Sequence, residues 1–161
     1  MSSYRVRIEK DYTVFCAGHF ITYDGHECEP LHGHNYQAAA ALEGLLDENA
    51  YVFDFTRLKR ALRSIVDRLD HRMLLPTGSA LIRVEEQPHS IRARYRDREW
   101  VFPRDDCVLL PIENTTAELL ARYIAGRLLD SLKTKDGFVP EVLRVEVEEA
   151  PGQSATIEWK A

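Results

Sequence analysis

The chain reads as a single α+β domain built on an antiparallel sheet, and three observations predict it. Apolar and polar residues alternate near both ends, two stretches between them repeat at helical spacing, and no linker, internal repeat or low-complexity tract divides the 161 residues. With 45% hydrophobic residues the chain can bury one core. Tyr4, Val6 and Ile8 alternate with Arg5, Arg7 and Glu9, which predicts a half-buried strand. Residues 12–20 continue as a second extended segment ending at His19. A loop over 22–30 holds Gly25, three acidic residues and Pro30, and carries Cys28. The chain is extended again from Leu31 to Leu42 and turns over 44–49. Asp54 and Thr56 are N-cap candidates ahead of Leu58, Leu62, Ile65, Val66 and Leu69, whose spacing predicts a helix ending near Asp70-His71. Residues 80–103 read as an added hairpin, its apolar positions interrupted by Pro88 and Asp97-Arg98. Thr115-Thr116-Ala117-Glu118 is a capping-box pattern that opens a second helix running to about Leu132. Asp136-Gly137 is a turn, and 142–149 and 155–159 alternate as two closing strands.

A formal net charge of -5 argues against a general nucleic-acid or anionic-membrane binder. Two basic runs, Arg57 to Arg63 and Arg92 to Arg98, read as solvated faces; the alternative is a site for an anionic substrate. Cys16, Cys28 and Cys107 are an odd number, too sparse for a disulfide scaffold. The first residues lack the apolar core of a secretory signal, and no apolar run is long enough to cross a bilayer. A reducing cytoplasm with free thiols is the expectation.

The most informative segment is His32-Gly33-His34 with His19 and Cys28 close by. Histidines at i and i+2 of a strand project from one face, and a third from a neighbouring strand completes three nitrogens with one position open. That is the pattern of a catalytic zinc site. His26, in the loop, and His89, beside Pro88, read as non-ligands. Cys28 as a fourth ligand would close the site; as a thiolate near a cation it could be a general base, a role also open to the adjacent Glu29. In an extended loop these neighbours point to opposite sides, so one of them faces the metal, and the thiol is favoured for its pKa. Asp70-His71 pairs an imidazole with a carboxylate that can fix its tautomer. Glu149 continues the inward phase of Val145 and Val147, where a carboxylate is costly unless it accepts hydrogen bonds, for example from a guanidine-like heterocycle.

Taken together, Phe15-Cys-Ala-Gly-His19-Phe, Cys28-Glu-Pro-Leu-His32-Gly-His34-Asn-Tyr, Val52-Phe-Asp-Phe, Leu69-Asp-His71-Arg, Asn114-Thr-Thr-Ala-Glu118 and Val145-Glu-Val-Glu-Glu149 resemble the 6-pyruvoyl-tetrahydropterin synthase / 6-carboxytetrahydropterin synthase family in order over nearly the whole chain. The resemblance implies the T-fold, a four-stranded antiparallel sheet with two helices on one face. It implies trimers whose sheets close into a barrel, commonly paired into homohexamers, with active sites between subunits. Carried over by position, His19, His32 and His34 bind zinc, Cys28 is the base, Asp70 and His71 form a second acid-base element, and Glu149 anchors a pterin ring beside the Thr115-Thr116 backbone. The implied reaction converts 7,8-dihydroneopterin triphosphate, with loss of triphosphate, to 6-carboxy-5,6,7,8-tetrahydropterin on the queuosine route or to 6-pyruvoyl-tetrahydropterin. Glu29-Pro30 resembles a subgroup in which a glutamate serves beside or instead of the cysteine, giving 6-hydroxymethyl-dihydropterin for folate. The 80–103 segment is longer than in compact members. A reading from another class is a non-catalytic zinc-bearing pterin-binding oligomer.

Overall fold

The structure, a computed structural model, describes residues 2–9 and 13–161. The start of the extended segment expected over 12–20 lies partly outside these residues. Strands β1 (Tyr4–Ile8) and β2 (Val14–His19) lie end to end along one edge of β5 (His32–Gly44), a 13-residue strand that forms the spine of the sheet. On the other edge of β5 lie β11 (Val142–Ala150) and then β12 (Gln153–Lys160), all antiparallel.

The run β2-β5-β11-β12 is the expected antiparallel core, but the sheet does not stop at four strands. Two further strands, β6 (Arg72–Pro76) and β10 (Cys107–Leu110), extend it beyond β2 in parallel, making seven strands with β1. Neither is legible from alternation. Leu74 packs into the main core while Met73 and Leu75 pack into a second cluster, so β6 is buried on both faces and its apolar residues run without a break.

Helix α1 (Phe55–Val66) is capped by Asp54, whose carboxylate accepts from the Arg57 N–H at 2.8 Å. Its buried residues Leu58, Leu62, Ile65 and Val66 form one stripe. It ends four residues before the expected Asp70, because 67–71 form turns that bury Leu69 and finish at His71 with a left-handed φ of 54°. Helix α2 (Ala117–Asp136) is capped by Thr116 rather than Thr115 and runs past Leu132 to a left-handed Gly137, φ 63°. Both helices cover the same face of the sheet, enclosing Phe15, Tyr36, Ala38, Leu42, Val145 and Val147. On the opposite face Arg7, Arg144 and Glu146 line the strands beside Ala39 and Ala41, with Arg7–Glu146 at 3.2 Å and Arg144–Glu158 at 2.6 Å.

Two expectations are corrected. The 22–30 loop contains a small hairpin, β3 (Thr22–Tyr23) with β4 (Glu27–Cys28). The presumed 80–103 hairpin is a separate three-stranded sheet: β7 (Arg83–Glu86), β8 (Ser90–Tyr95) and β9 (Arg98–Pro103). It shares the second apolar cluster with Phe20, Met73 and Leu75.

Gly18 and Gly33 sit opposite each other in the β2–β5 pairing. A Cβ on Gly33 would meet the Ala17 carbonyl oxygen at 2.9 Å, a backbone atom that cannot swing aside. Gly33→Ala is expected to cost on the order of 1–3 kcal/mol, the usual price of overpacking, seen as a lower Tm. An unchanged Tm would show that the two strands are free to separate there.

Candidate active site

His19 is the last residue of β2 and His32, directly across from it, the first of β5; His34 follows two residues on. All three therefore leave the helix-covered face, at the open end of the core. Their ring centroids lie 4.8, 5.2 and 4.9 Å apart, each pair edge-on, and one ligand nitrogen from each falls within 4.8 Å of the others.

Hydrogen bonds behind the rings aim them. A carbonyl can only accept, so the 2.9 Å contact from His19 Nδ1 to the Thr115 oxygen requires an N–H at Nδ1 and leaves Nε2 with its lone pair. The 2.8 Å contact from His32 Nδ1 to the Pro30 oxygen does the same. His34 Nε2 is buried with no hydrogen-bond partner; Glu149 Oε1 stands 3.5 Å away. An orphaned buried nitrogen beside two imidazoles of matching tautomer is the donor set a metal ion would satisfy. Burial is the main cause holding the His19 imidazole at about 4, so it is neutral and able to ligate near neutral pH.

Sequence reasoning missed Tyr36. It lies in the same period-two phase as His32 and His34, stacks on Phe15 at 5.0 Å, and its hydroxyl sits 3.1–3.2 Å from both nitrogens of His19. Burial, reinforced by the charges of Glu149 and Glu29, pushes the phenol well above its ordinary range, so it remains a donor. The phase was the signal that could have found it.

The loop before His32 separates the two candidate bases. Glu29 Oε2 accepts from the Ile21 N–H at 3.2 Å and lies 3.8 Å from His32 Nε2. Cys28 packs against the second apolar cluster, with its Sγ 3.6 Å from the Glu29 carbonyl oxygen. Burial pushes the thiol above its ordinary value; nearby Arg98 opposes this and Glu29 adds to it. The side that faces the histidines is thus the carboxylate.

Thr115 is fully buried, its carbonyl bonded to His19, while Thr116 caps α2. Thr116 and Glu149 line one open cleft of about 370 Å³ together with Ile21, Glu118 and Ser154. Strand β11 continues through Glu149, where a bulge between Glu148 and Ala150 shifts the pairing with β12. Asp70 and His71 form the expected pair, Oδ2 to Nδ1 at 3.0 Å, with Asp70 Oδ1 also accepting from the Cys16 N–H at 2.7 Å. Those contacts hold the Asp70 carboxyl below its ordinary value, the Cys16 bond first. The pair stands apart from the triad: Cys16 points to the face opposite His19, and the His71 side chain is 83% exposed. His26 bonds to the Asp24 carbonyl in the hairpin, away from the three histidines.

The family described as 6-pyruvoyl tetrahydropterin synthase matches residues 7–160. A Methanocaldococcus jannaschii protein provisionally named a 6-carboxy-5,6,7,8-tetrahydropterin synthase is 33% identical over 143 residues, 88% of this chain and 86% of that one. The crystal structure of 6-pyruvoyl tetrahydropterin synthase from Plasmodium vivax is 30% identical, with full coverage of both chains and a TM-score of 0.91. A further structure of that P. vivax enzyme, in which a glutamate described as catalytic is replaced by cysteine, gives a TM-score of 0.92 at 30% identity and full coverage of both chains.

Purified protein is expected to hold about one metal ion per chain, and His32→Ala to lose most of it in elemental analysis. Full retention would remove His32 from the ligand set. Asp70→Asn is expected to lower stability at pH 7 by on the order of 1 kcal/mol, discounted for exposure. Because the folded carboxyl titrates below the unfolded value of 3.8, its contribution is present above that pH and fades as pH falls through the folded value. Denaturation midpoints of the two proteins should therefore converge in acid; a constant gap would contradict the charge-based account.

Proposed function

The chain belongs to the 6-pyruvoyl tetrahydropterin synthase family, and on that footing we propose that it is a zinc-dependent lyase that breaks down the side chain of 7,8-dihydroneopterin triphosphate with release of triphosphate. The observation that carries the reading is the three-histidine cluster flanked by two carboxylates, Glu29 at 3.8 Å from His32 and Glu149 at 3.5 Å from His34. His19, His32 and His34 would hold zinc, which supplies Lewis-acid polarisation of substrate side-chain oxygens. Glu149, in the cleft with Thr116, accepts from the N–H groups of the guanidine-like edge of the pterin. The protonated Tyr36 hydroxyl packs beside His19.

In this reading the base is Glu29, not the thiol favoured on sequence grounds. Its carboxylate faces the histidines while Cys28 faces an apolar cluster, and a relative in the same family is described as using a catalytic glutamate. Glu29 takes a carbon-bound proton from the substrate side chain, and Asp70 holds His71 in the tautomer needed for a second proton transfer. The exposed ring of His71 suits a homo-oligomer, a trimer or hexamer, in which it serves a site on another copy. Three free thiols suit a reducing cytoplasm, and no helix among the described residues is long and apolar enough to cross a membrane.

The name of the M. jannaschii relative favours 6-carboxy-5,6,7,8-tetrahydropterin as product. The placement of Glu29 favours a second reading, cleavage to 6-hydroxymethyl-dihydropterin. Mass identification of the product from 7,8-dihydroneopterin triphosphate separates them. Glu29→Gln is expected to reduce turnover by about a hundredfold or more with metal retained, and Cys28→Ala to be mild by comparison. The opposite ranking would return the base to Cys28, and absence of any triphosphate release would leave a binding protein.

A further inference from the structure

The three-stranded sheet over 83–103 lies outside the main sheet, yet its inner face is directed at the loop that carries the base. Tyr95 pairs with Arg98 and Ala93 with Trp100, so these side chains leave the same face. Trp100 stacks on Phe20 with centroids 4.2 Å apart, next to the ligand His19. The Arg98 guanidinium lies 4.7 Å over the Trp100 ring. From there its Nη1 donates to the Cys28 carbonyl oxygen at 2.9 Å and its Nη2 to the Glu29 carbonyl oxygen at 3.1 Å. The Tyr95 hydroxyl donates to the His26 carbonyl oxygen.

We propose that Arg98 is a positioning residue for the reaction, acting through Glu29: its planar fork locks the two peptide groups on either side of Glu29 and so sets where the carboxylate stands relative to the triad. A rigid two-pronged donor that captures consecutive carbonyls fixes the orientation of both peptide planes, which a single contact cannot do. Pro30 restricts the same backbone from the other side. The Glu29 N–H bonds to the Ile21 oxygen at 2.9 Å, and its carboxylate to the Ile21 N–H, so the carboxylate direction is held from backbone to tip. The insertion thereby becomes part of the active-site scaffold. This rests on the reading of Glu29 as the base.

The test compares Arg98→Met, which keeps the stem and removes the donors, with Arg98→Lys, which can reach one carbonyl, each alone and combined with Glu29→Gln. Arg98→Met is expected to lower kcat about 10- to 100-fold, the scale of a misplaced catalytic group, with KM within about twofold. Metal content should stay at the wild-type level, and hydrogen exchange over 21–31 should speed about tenfold or more. Arg98→Lys should recover part of kcat. In the Glu29→Gln background Arg98→Met should add almost nothing, because the two act as one unit. An equal loss of kcat in both backgrounds overturns the inference. So does unchanged kcat and exchange in Arg98→Met while Glu29→Gln alone is inactive. Full activity of Glu29→Gln overturns the base reading instead, and is recognised separately from the Arg98 results.

Discussion

Slip β2 by one residue against β5 and His19 moves to the far face of the sheet, its Thr115 partner is lost and the three-nitrogen cluster disappears. The observed pairing places His19 opposite His32 and Ala17 opposite His34. The clustering of the three histidines follows from that register, because side-chain direction in a strand alternates with a period of two. Two features pin it. Gly18 faces Gly33 where the backbones approach too closely for a side chain. Phe15 stacks on Tyr36 three pairs further in, under the helices. The apolar core and the three-histidine cluster are successive rungs of the same ladder.

The site also needs elements from the rest of the chain. The carbonyl of Thr115 reaches His19 because the chain is not yet helical there, just before the Thr116 cap of α2, and Asn114 ties that junction to the 22–30 hairpin through Thr22 at 2.8 Å. The insertion contributes its inner face to the same hairpin, over the apolar cluster it shares with Phe20, Met73 and Leu75. Held from both sides, the loop directs Glu29 toward the histidines and Cys28 toward the second apolar cluster. Two acidic side chains beside a cluster of imidazoles form a setting in which a divalent cation would balance charge as well as fill coordination.

The sequence alone determined the features written in local period and in special residues. Alternation marks β1, β11 and β12; capping patterns at Asp54-Thr56 and Thr115-Glu118 and the apolar stripes mark both helices, though the structure chose Asp54 and Thr116 as the caps; His32-Gly33-His34 marks the strand that carries two of the three clustered histidines. The inward phase of Glu149 was legible for the same reason, since the strand runs on through it. What tertiary structure decided is what depends on partners remote in the chain. Strand β6 is buried on both faces and β10 packs against both apolar clusters, so neither shows alternation. The inserted segment pairs as three strands because Phe20, Met73 and Leu75 offer it a second apolar surface. Adjacent residues on an extended loop point apart, which is a local rule, but the contacts that hold Cys28 and Glu29 in the observed arrangement come from elsewhere in the chain, from Ile21 to Glu29 and from Arg98 to both carbonyls.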